Sequence, residues 1–328
     1  MEIERILAEK GQLIDEELEA VFPKNNIPNL HDAVWYHLET GGKRIRPALA
    51  IATYEALGGK DNRIIPFAAA CEIFHQWCLV HDDQMDADVM RRDKPSVWMK
   101  YGAAHGINIG DYMSEKVYEL ILRSKNYGVG NEIIFKLLDA MVATAVKTSE
   151  GQAMDVNFRD AMPAEKDYIE MVTLKTAYYL TVPMVGGAML AGADESLIKK
   201  LREFGMYAGP AFQIADDILD LTKGKGRGET GRDIKEGKKS ILVIHSMGRC
   251  SSAERKKMLA ILKKPAGKTT AKDVSFARSL FVKYGSVDYA RKRSEELISK
   301  AKNTIKDFPE ELRNILNEFA DYLVRREK

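Results

Sequence analysis

Pro309-Glu310-Glu311-Leu312-Arg313-Asn314-Ile315-Leu316-Asn317-Glu318-Phe319-Ala320-Asp321-Tyr322-Leu323 opens on a proline and then repeats apolar residues at i, i+3, i+4 and i+7. Proline suits the first turn of a helix, where its missing N–H costs nothing, and Leu312, Ile315, Leu316, Phe319 and Leu323 then share one face. The same spacing covers most of the chain, and the ten prolines leave long tracts unbroken, notably between Pro95 and Pro163. No strong alternating strand run and no Asn-Gly hairpin signal stands against it. The expectation is an all-α fold: one multi-helix domain over residues 1–328, with no solenoid repeat.

Composition narrows the function classes. A chain of 328 residues that is 45% hydrophobic, 30% charged and 8% aromatic has the profile of a globular, helix-leaning protein. Lys+Arg number 50 and Asp+Glu 48, so the net charge of +2 gives no global pull towards nucleic acid or an anionic membrane. The three cysteines, Cys71, Cys78 and Cys250, are too few for a disulfide framework. On one helix the first two would lie about 10 Å apart, too far to bridge, so a reducing, cytoplasmic setting is expected. The start, Met1-Glu2-Ile3-Glu4-Arg5, lacks the apolar region of a signal peptide. Thr176 to Ala193 carries no charge and reaches the lower length limit of a span, but Thr181, Pro183, Gly186 and Gly187 favour a buried helix, so no membrane span is expected.

Chemistry concentrates where apolar helices end. Ile73-Phe74-His75-Gln76-Trp77-Cys78-Leu79-Val80 runs directly into His81-Asp82-Asp83-Gln84-Met85-Asp86-Ala87-Asp88. On a helix Asp82 and Asp86 stack one turn apart, with Asp83 beside Asp86; such carboxylates repel one another and oppose the helix dipole unless a cation is present. One such cluster fits a solvated helix end equally well. The arrangement recurs, however: Phe212-Gln213-Ile214-Ala215 leads into Asp216-Asp217-Ile218-Leu219-Asp220. If the two helices face each other, only divalent cations neutralise the space between, and all-oxygen ligands point to Mg²⁺, which keeps waters and shares its shell with phosphates. A calcium loop is excluded because the first cluster lacks the glycine and glutamate that loop requires.

Cations come in equally compact sets. Gly41-Gly42-Lys43-Arg44-Ile45-Arg46-Pro47 reads structurally as a helix cap followed by a new helix, and functionally as an anion site at a helix N-terminus. Arg91-Arg92 follow the first acidic cluster, and Lys175 interrupts an apolar helix. Thr222 to Lys239 holds five glycines, seven bases and three acids, a pattern expected of a mobile basic lid.

Taken together these motifs resemble the trans-isoprenyl diphosphate synthases, the polyprenyl synthetases, from about Asn29 onward. The matching set is GGKRIRP at 41–47, Glu72 and His75 ahead of HDDQMD, RR at 91–92, GD at 110–111, EGQ at 150–152 with Asp155, KT at 175–176, FQIADDILD at 212–220 and GRDIKEGKK at 231–239. The resemblance implies an isoprenoid synthase bundle around a central cavity. It implies an allylic diphosphate held through more than one Mg²⁺ by Asp82, Asp83, Asp86, Asp216, Asp217 and Asp220, with Arg91, Lys175, Gln213 and Lys238 on the same diphosphate. Gln213 and Thr176 would face the allylic cation. Isopentenyl diphosphate would be anchored by Gly42, Lys43, Arg46, His75 and Arg92, and the released diphosphate would take the final proton. His81 is then structural, and the assembly a homodimer.

Three departures stand out. Asp93 occupies the place after the arginine pair where the family usually has glycine. Gly228-Glu229 stand where a Gly-Lys is usual, with Lys225 or Arg227 as substitutes. Asp88 extends the first cluster beyond its core. Trp77 and Cys78, about one turn before Asp82, are the expected chain-length residues; a bulky residue there without an insertion in DDxxD resembles archaeal-type enzymes and implies a C20 product, with C15 and C25 as alternatives. A class I terpene cyclase and a non-catalytic subunit are the competing readings. The cyclase would not need Lys43, Arg46 and His75, and non-catalytic subunits commonly lose aspartates that are complete here.

Overall fold

The computed structural model describes residues 5, 9–24, 26–222, 230–265 and 267–325. The expected lid over 222–239 therefore lies partly outside the described residues, and so do Lys225, Arg227, Gly228 and Glu229.

The fold is all-α. In chain order the helices are α1 (Asp15–Val21), α2 (His31–Leu38), α3 (Ile45–Ala56), α4 (Ile65–Met85), α5 (Val97–Tyr101), α6 (Ala103–Arg123), α7 (Asn131–Asn157), α8 (Glu165–Val172), α9 (Tyr178–Leu190), α10 (Glu195–Thr222), α11 (Arg232–Lys235), α12 (Ile241–Met247), α13 (Ser252–Leu262), α14 (Ala271–Lys283), α15 (Ser286–Thr304) and α16 (Glu310–Arg325). Among the described residues, strand structure is confined to a hairpin of two-residue strands, β1 (Met90–Arg91) and β2 (Lys94–Pro95). The opening stretch folds as its spacing predicts: Leu312, Leu316, Phe319 and Leu323 of α16 are buried.

Contacts gather into two compact units, each with its own interior. The first comprises Met1–Ala145, Tyr179–Glu203 and Thr304–Phe319; the second comprises Val146–Tyr178, Phe204–Asn303 and Ala320–Lys328.

In the first unit α4 is the central helix. Ile65, Phe67, Ala68, Ala69, Ala70, Ile73 and Phe74 are buried all round it, as expected of a helix enclosed by others. Each fully buried aromatic or branched side chain there contributes roughly 1.5–3 kcal/mol. The stretch Asn62–Met85 has the length and apolarity of a membrane span, yet 72% of its apolar 18-residue window is buried within the fold, which identifies it as a core helix. The uncharged stretch from Thr176 folds mostly as α9, also buried, with Pro183 inside it.

Two glycines set how closely α6 approaches α4. A Cβ on Gly106 would lie 2.7 Å from Gln84 Oε1, and one on Gly110 would lie 2.0 Å from His81 Nε2. In the hairpin, Met90 pairs with Pro95 and Arg91 with Lys94, leaving Arg92 and Asp93 as the two turn residues. Both are left-handed, with φ of 50° and 62°, as a two-residue turn matched to the twist of its strands requires.

Candidate active site

In the first unit α4 ends at Met85 and carries Asp82 and Asp83 on its last turn, with Asp86 as its C-cap. The three are not equivalent. Asp83 is wholly buried, and its carboxylate takes hydrogen bonds from Arg91 Nε at 2.9 and 3.2 Å, with Arg91 Nη2 on the same oxygen. Arg91 also approaches Asp88 Oδ2 at 3.7 Å. The hairpin thus aims its first arginine inward to neutralise Asp83; breaking such a buried pair costs about 3–5 kcal/mol. Asp82 and Asp86, one turn apart, are partly exposed. Their all-oxygen chemistry fits a hard divalent cation that keeps water and phosphate oxygens as its other ligands. Among the described residues no three acidic, His or Cys side chains converge on one metal position.

The second hairpin arginine points elsewhere. Arg92 Nη1 donates to Thr40 Oγ1 at 3.3 Å, and its guanidinium lies so close to Gly42 that a Cβ there would stand 2.9 Å from Nη2. With φ of 152°, Gly42 needs glycine for both space and backbone. Lys43 and Arg44 follow, and α3 begins at Ile45 with Arg46 in its first turn. Arg46 is buried beneath the N-terminus of α3, with its Cζ 4.5 Å from the ring centre of Tyr179. His75 stacks on the same ring at 6.1 Å and 13°. Burial, followed by the charges of Arg46, Arg92 and Arg91, holds the His75 imidazole well below its ordinary pKa, so it is neutral. The five residues expected to anchor isopentenyl diphosphate, Gly42, Lys43, Arg46, His75 and Arg92, thus all belong to the first unit.

Beside them lies a polar layer of which the sequence marked only Glu72. Gln76 Nε2 donates to Glu72 Oε1 at 2.5 Å, and His37 is buried with its pKa lowered to about 3 by burial and by Arg92 and Arg91. Trp77 and Cys78 are half-buried against the core. The Trp77 indole N–H donates to His81 Nδ1 at 3.1 Å, which leaves the proton on His81 Nε2 to reach Ile107 O at 3.3 Å.

The second unit carries the other acidic motif near the end of α10. Asp217 is buried and accepts from Tyr168 Oη at 2.7 Å and from Gln213 Nε2 at 3.1 Å; Thr176 Oγ1 donates in turn to Gln213 Oε1 at 3.3 Å. Asp220 is buried too, and its Oδ2 accepts the Asp233 backbone N–H at 3.1 Å, tying α11 to α10. Asp216 is the partly exposed member. Each DDxxD therefore holds its middle aspartate inward on protein donors.

Lys175 and Thr176 sit in a π-helical turn, Thr173–Ala177, between α8 and α9. The wider turn is clamped by glycines: a Cβ on Gly151 of α7 would lie 2.2 Å from Lys175 N, and one on Gly209 of α10 would lie 2.4 Å from Ala177 Cα. Lys175 Nζ donates to Asp155 Oδ2 at 2.7 Å. Burial raises the Asp155 pKa, but Lys175 and Lys238 outweigh it and hold the carboxyl below its ordinary value. One cavity brings together Asp155, Tyr168, Lys175, Gln213, Asp217, Asp233, Lys238 and Lys239. Of the groups expected on the allylic diphosphate, Lys175, Gln213 and Lys238 share that cavity, whereas Arg91 lies in the first unit on Asp83. Tyr168 and Lys239 were not singled out from the sequence: Tyr168 reads as a core aromatic until Asp217 is placed opposite it, and Lys239 reads as one more lid cation until it is seen buried on Gly237 O and Arg159 O.

An all-helical fold with aspartates at two helix ends beside buried, anion-ready cations defines an enzyme that works on diphosphate esters. The chain belongs to the polyprenyl synthetase family, which it matches over residues 27–278, and is a trans-prenyltransferase. It is 35% identical to a geranylgeranyl pyrophosphate synthase of Geoglobus acetivorans, over 99% of each chain. It is 33% identical to a geranylfarnesyl diphosphate synthase of Aeropyrum pernix, over 91% of this chain and 95% of that one. The crystal structure of geranylgeranyl pyrophosphate synthetase from Pyrococcus horikoshii superposes with a TM-score of 0.90 at 34% identity, covering 99% of both chains.

Proposed function

We propose that the protein condenses isopentenyl diphosphate with an allylic diphosphate to give geranylgeranyl diphosphate, releasing diphosphate. The observation that carries this reading is the buried Arg46 at the start of α3, its Nε without a partner, near Arg92 and sharing the Tyr179 ring with His75, a second anion site that a terpene cyclase has no use for. Asp82, Asp83 and Asp86, with Asp216, Asp217 and Asp220, are the ligand candidates for more than one Mg²⁺; Asp83 and Asp217 also fix Arg91 and Gln213. Mg²⁺ bound there would neutralise the departing diphosphate. Lys175 and Lys238 hold the allylic diphosphate, and the oxygen dipoles of Thr176 and Gln213 face the allylic cation. The whole chain acts as one catalytic domain, and the diphosphate takes the final proton.

Trp77 supports the C20 product. Its indole is fixed by Phe74, edge-on at 5.0 Å, and by His81, so it forms a stiff floor about one turn below Asp82. The three cysteines are free, which supports a reducing, cytoplasmic setting. A homodimer is supported by apolar side chains left open on α6 and α7: Ile107, Leu122, Val142 and above all Phe135, which is 70% exposed.

The test is to incubate the purified chain with labelled isopentenyl diphosphate, each allylic primer and Mg²⁺, and to size the products. A C20 product is expected, and Trp77→Ala lengthens it. No incorporation with any primer overturns the synthase reading, and an unchanged length in the variant removes Trp77 as the floor.

A further inference from the structure

Arg46 lacks the usual compensation for a buried cation. It is 7% exposed, its Nε has no hydrogen-bond partner, and among the described residues no carboxylate pairs with it. A desolvated guanidinium without a counter-ion is costly, so something must offset the burial. What the structure places against it is the face of Tyr179, 4.5 Å from Cζ to ring centre. The ring quadrupole attracts the cation without consuming any of its five N–H donors. A carboxylate in the same place would attract more strongly, but it would cancel the charge and occupy the fork that an incoming diphosphate needs.

Tyr179 is itself held in place. It sits one residue into α9, and its ring is stacked on His75 at 13° and tilted against Phe74 at 6.4 Å. One ring therefore touches two of the groups assigned to isopentenyl diphosphate. We propose that Tyr179 is a positioning residue for isopentenyl diphosphate, acting through Arg46: an aromatic shelf that keeps the guanidinium buried, oriented and uncompensated until the diphosphate arrives. This rests on the assignment of that substrate to Arg46. The aromatic face is the active element, so phenylalanine serves and an aliphatic side chain of similar bulk does not.

The experiment measures KM for each substrate and kcat in the wild type, Tyr179→Phe, Tyr179→Leu, Tyr179→Met, Arg46→Gln and the Tyr179→Leu/Arg46→Gln double variant. Calorimetric titration of isopentenyl diphosphate provides a readout independent of turnover. Tyr179→Leu, or Tyr179→Met where the leucine variant fails to fold, raises the isopentenyl KM about tenfold and leaves the allylic KM within about twofold. Tyr179→Phe stays near wild type, and the double variant is no worse than Arg46→Gln alone. If Arg46→Gln weakens isopentenyl diphosphate while the aliphatic Tyr179 variants do not, the shelf is overturned and the substrate assignment stands. If Arg46→Gln leaves isopentenyl affinity unchanged, both fall. Equal rises in both KM values overturn the shelf in favour of general core packing.

Discussion

His37 shows how a single residue in the polar layer ties stability to pH. Its imidazole is held at about 3 in the fold against 6.5 ordinarily, because it is buried beside Arg92 and Arg91. Between those values the unfolded chain binds a proton that the folded chain refuses, so stability falls as pH drops below 6.5. Each pH unit inside the window costs at most about 1.4 kcal/mol. The urea midpoint of the wild type is expected to fall more steeply from pH 7 to pH 5 than that of His37→Asn; parallel midpoints would refute the assignment. Nothing in the sequence marks His37, whose environment is made by arginines that arrive more than fifty positions later. Asp93 is the opposite case. It is visible as a departure from the family's glycine, and the structure shows why it is tolerated: at φ of 62° it takes the left-handed turn position that aspartate enters more readily than most residues.

At the scale of elements, the π-turn Thr173–Ala177 is the feature that positions most of the second unit's site. A turn one residue wider than α-helix is rare and appears mostly where function needs a redirected side chain. Gly151→Ala would drive a Cβ into the Lys175 backbone, so the turn must shift. The expected result is a loss of kcat of tenfold or more, since displacement of catalytic groups by about 1 Å costs up to a hundredfold. Gly130→Ala, at a position with open space and ordinary backbone, is the control that leaves kcat unchanged; equal activities in the two variants would sink the clamp. Periodicity made the helices legible, α16 above all, because burial of one face writes itself into local spacing. The π-turn was legible only as a lysine interrupting an apolar run, since hydrogen-bond register leaves no mark on composition. The hairpin escaped for a related reason: Arg92-Asp93 fill turn positions where Asn-Gly would have announced it.

For the molecule as a whole, a net charge of +2 conceals strong local contrasts. In the first unit Arg91 neutralises Asp83 while Arg46 keeps its charge unpaired, so one unit holds both a settled and an unsettled cation. That contrast was beyond the sequence, which shows where acids and bases cluster but not which of them pair. The open apolar side chains of α6 and α7 bear on the same scale. Light scattering is expected to return twice the mass of the 36.9 kDa chain, and a monomeric mass would contradict the dimer.

The missing side chain of Gly110 has a practical consequence for engineering. His81 can reach Ile107 only because α6 offers no Cβ where the imidazole lies, and that imidazole in turn pins the Trp77 indole. The height of the proposed floor is thus set from the neighbouring helix. A designer seeking intermediate product sizes has a fine adjustment at Gly110, tilting the tryptophan through its tether, distinct from the coarse step of deleting the indole.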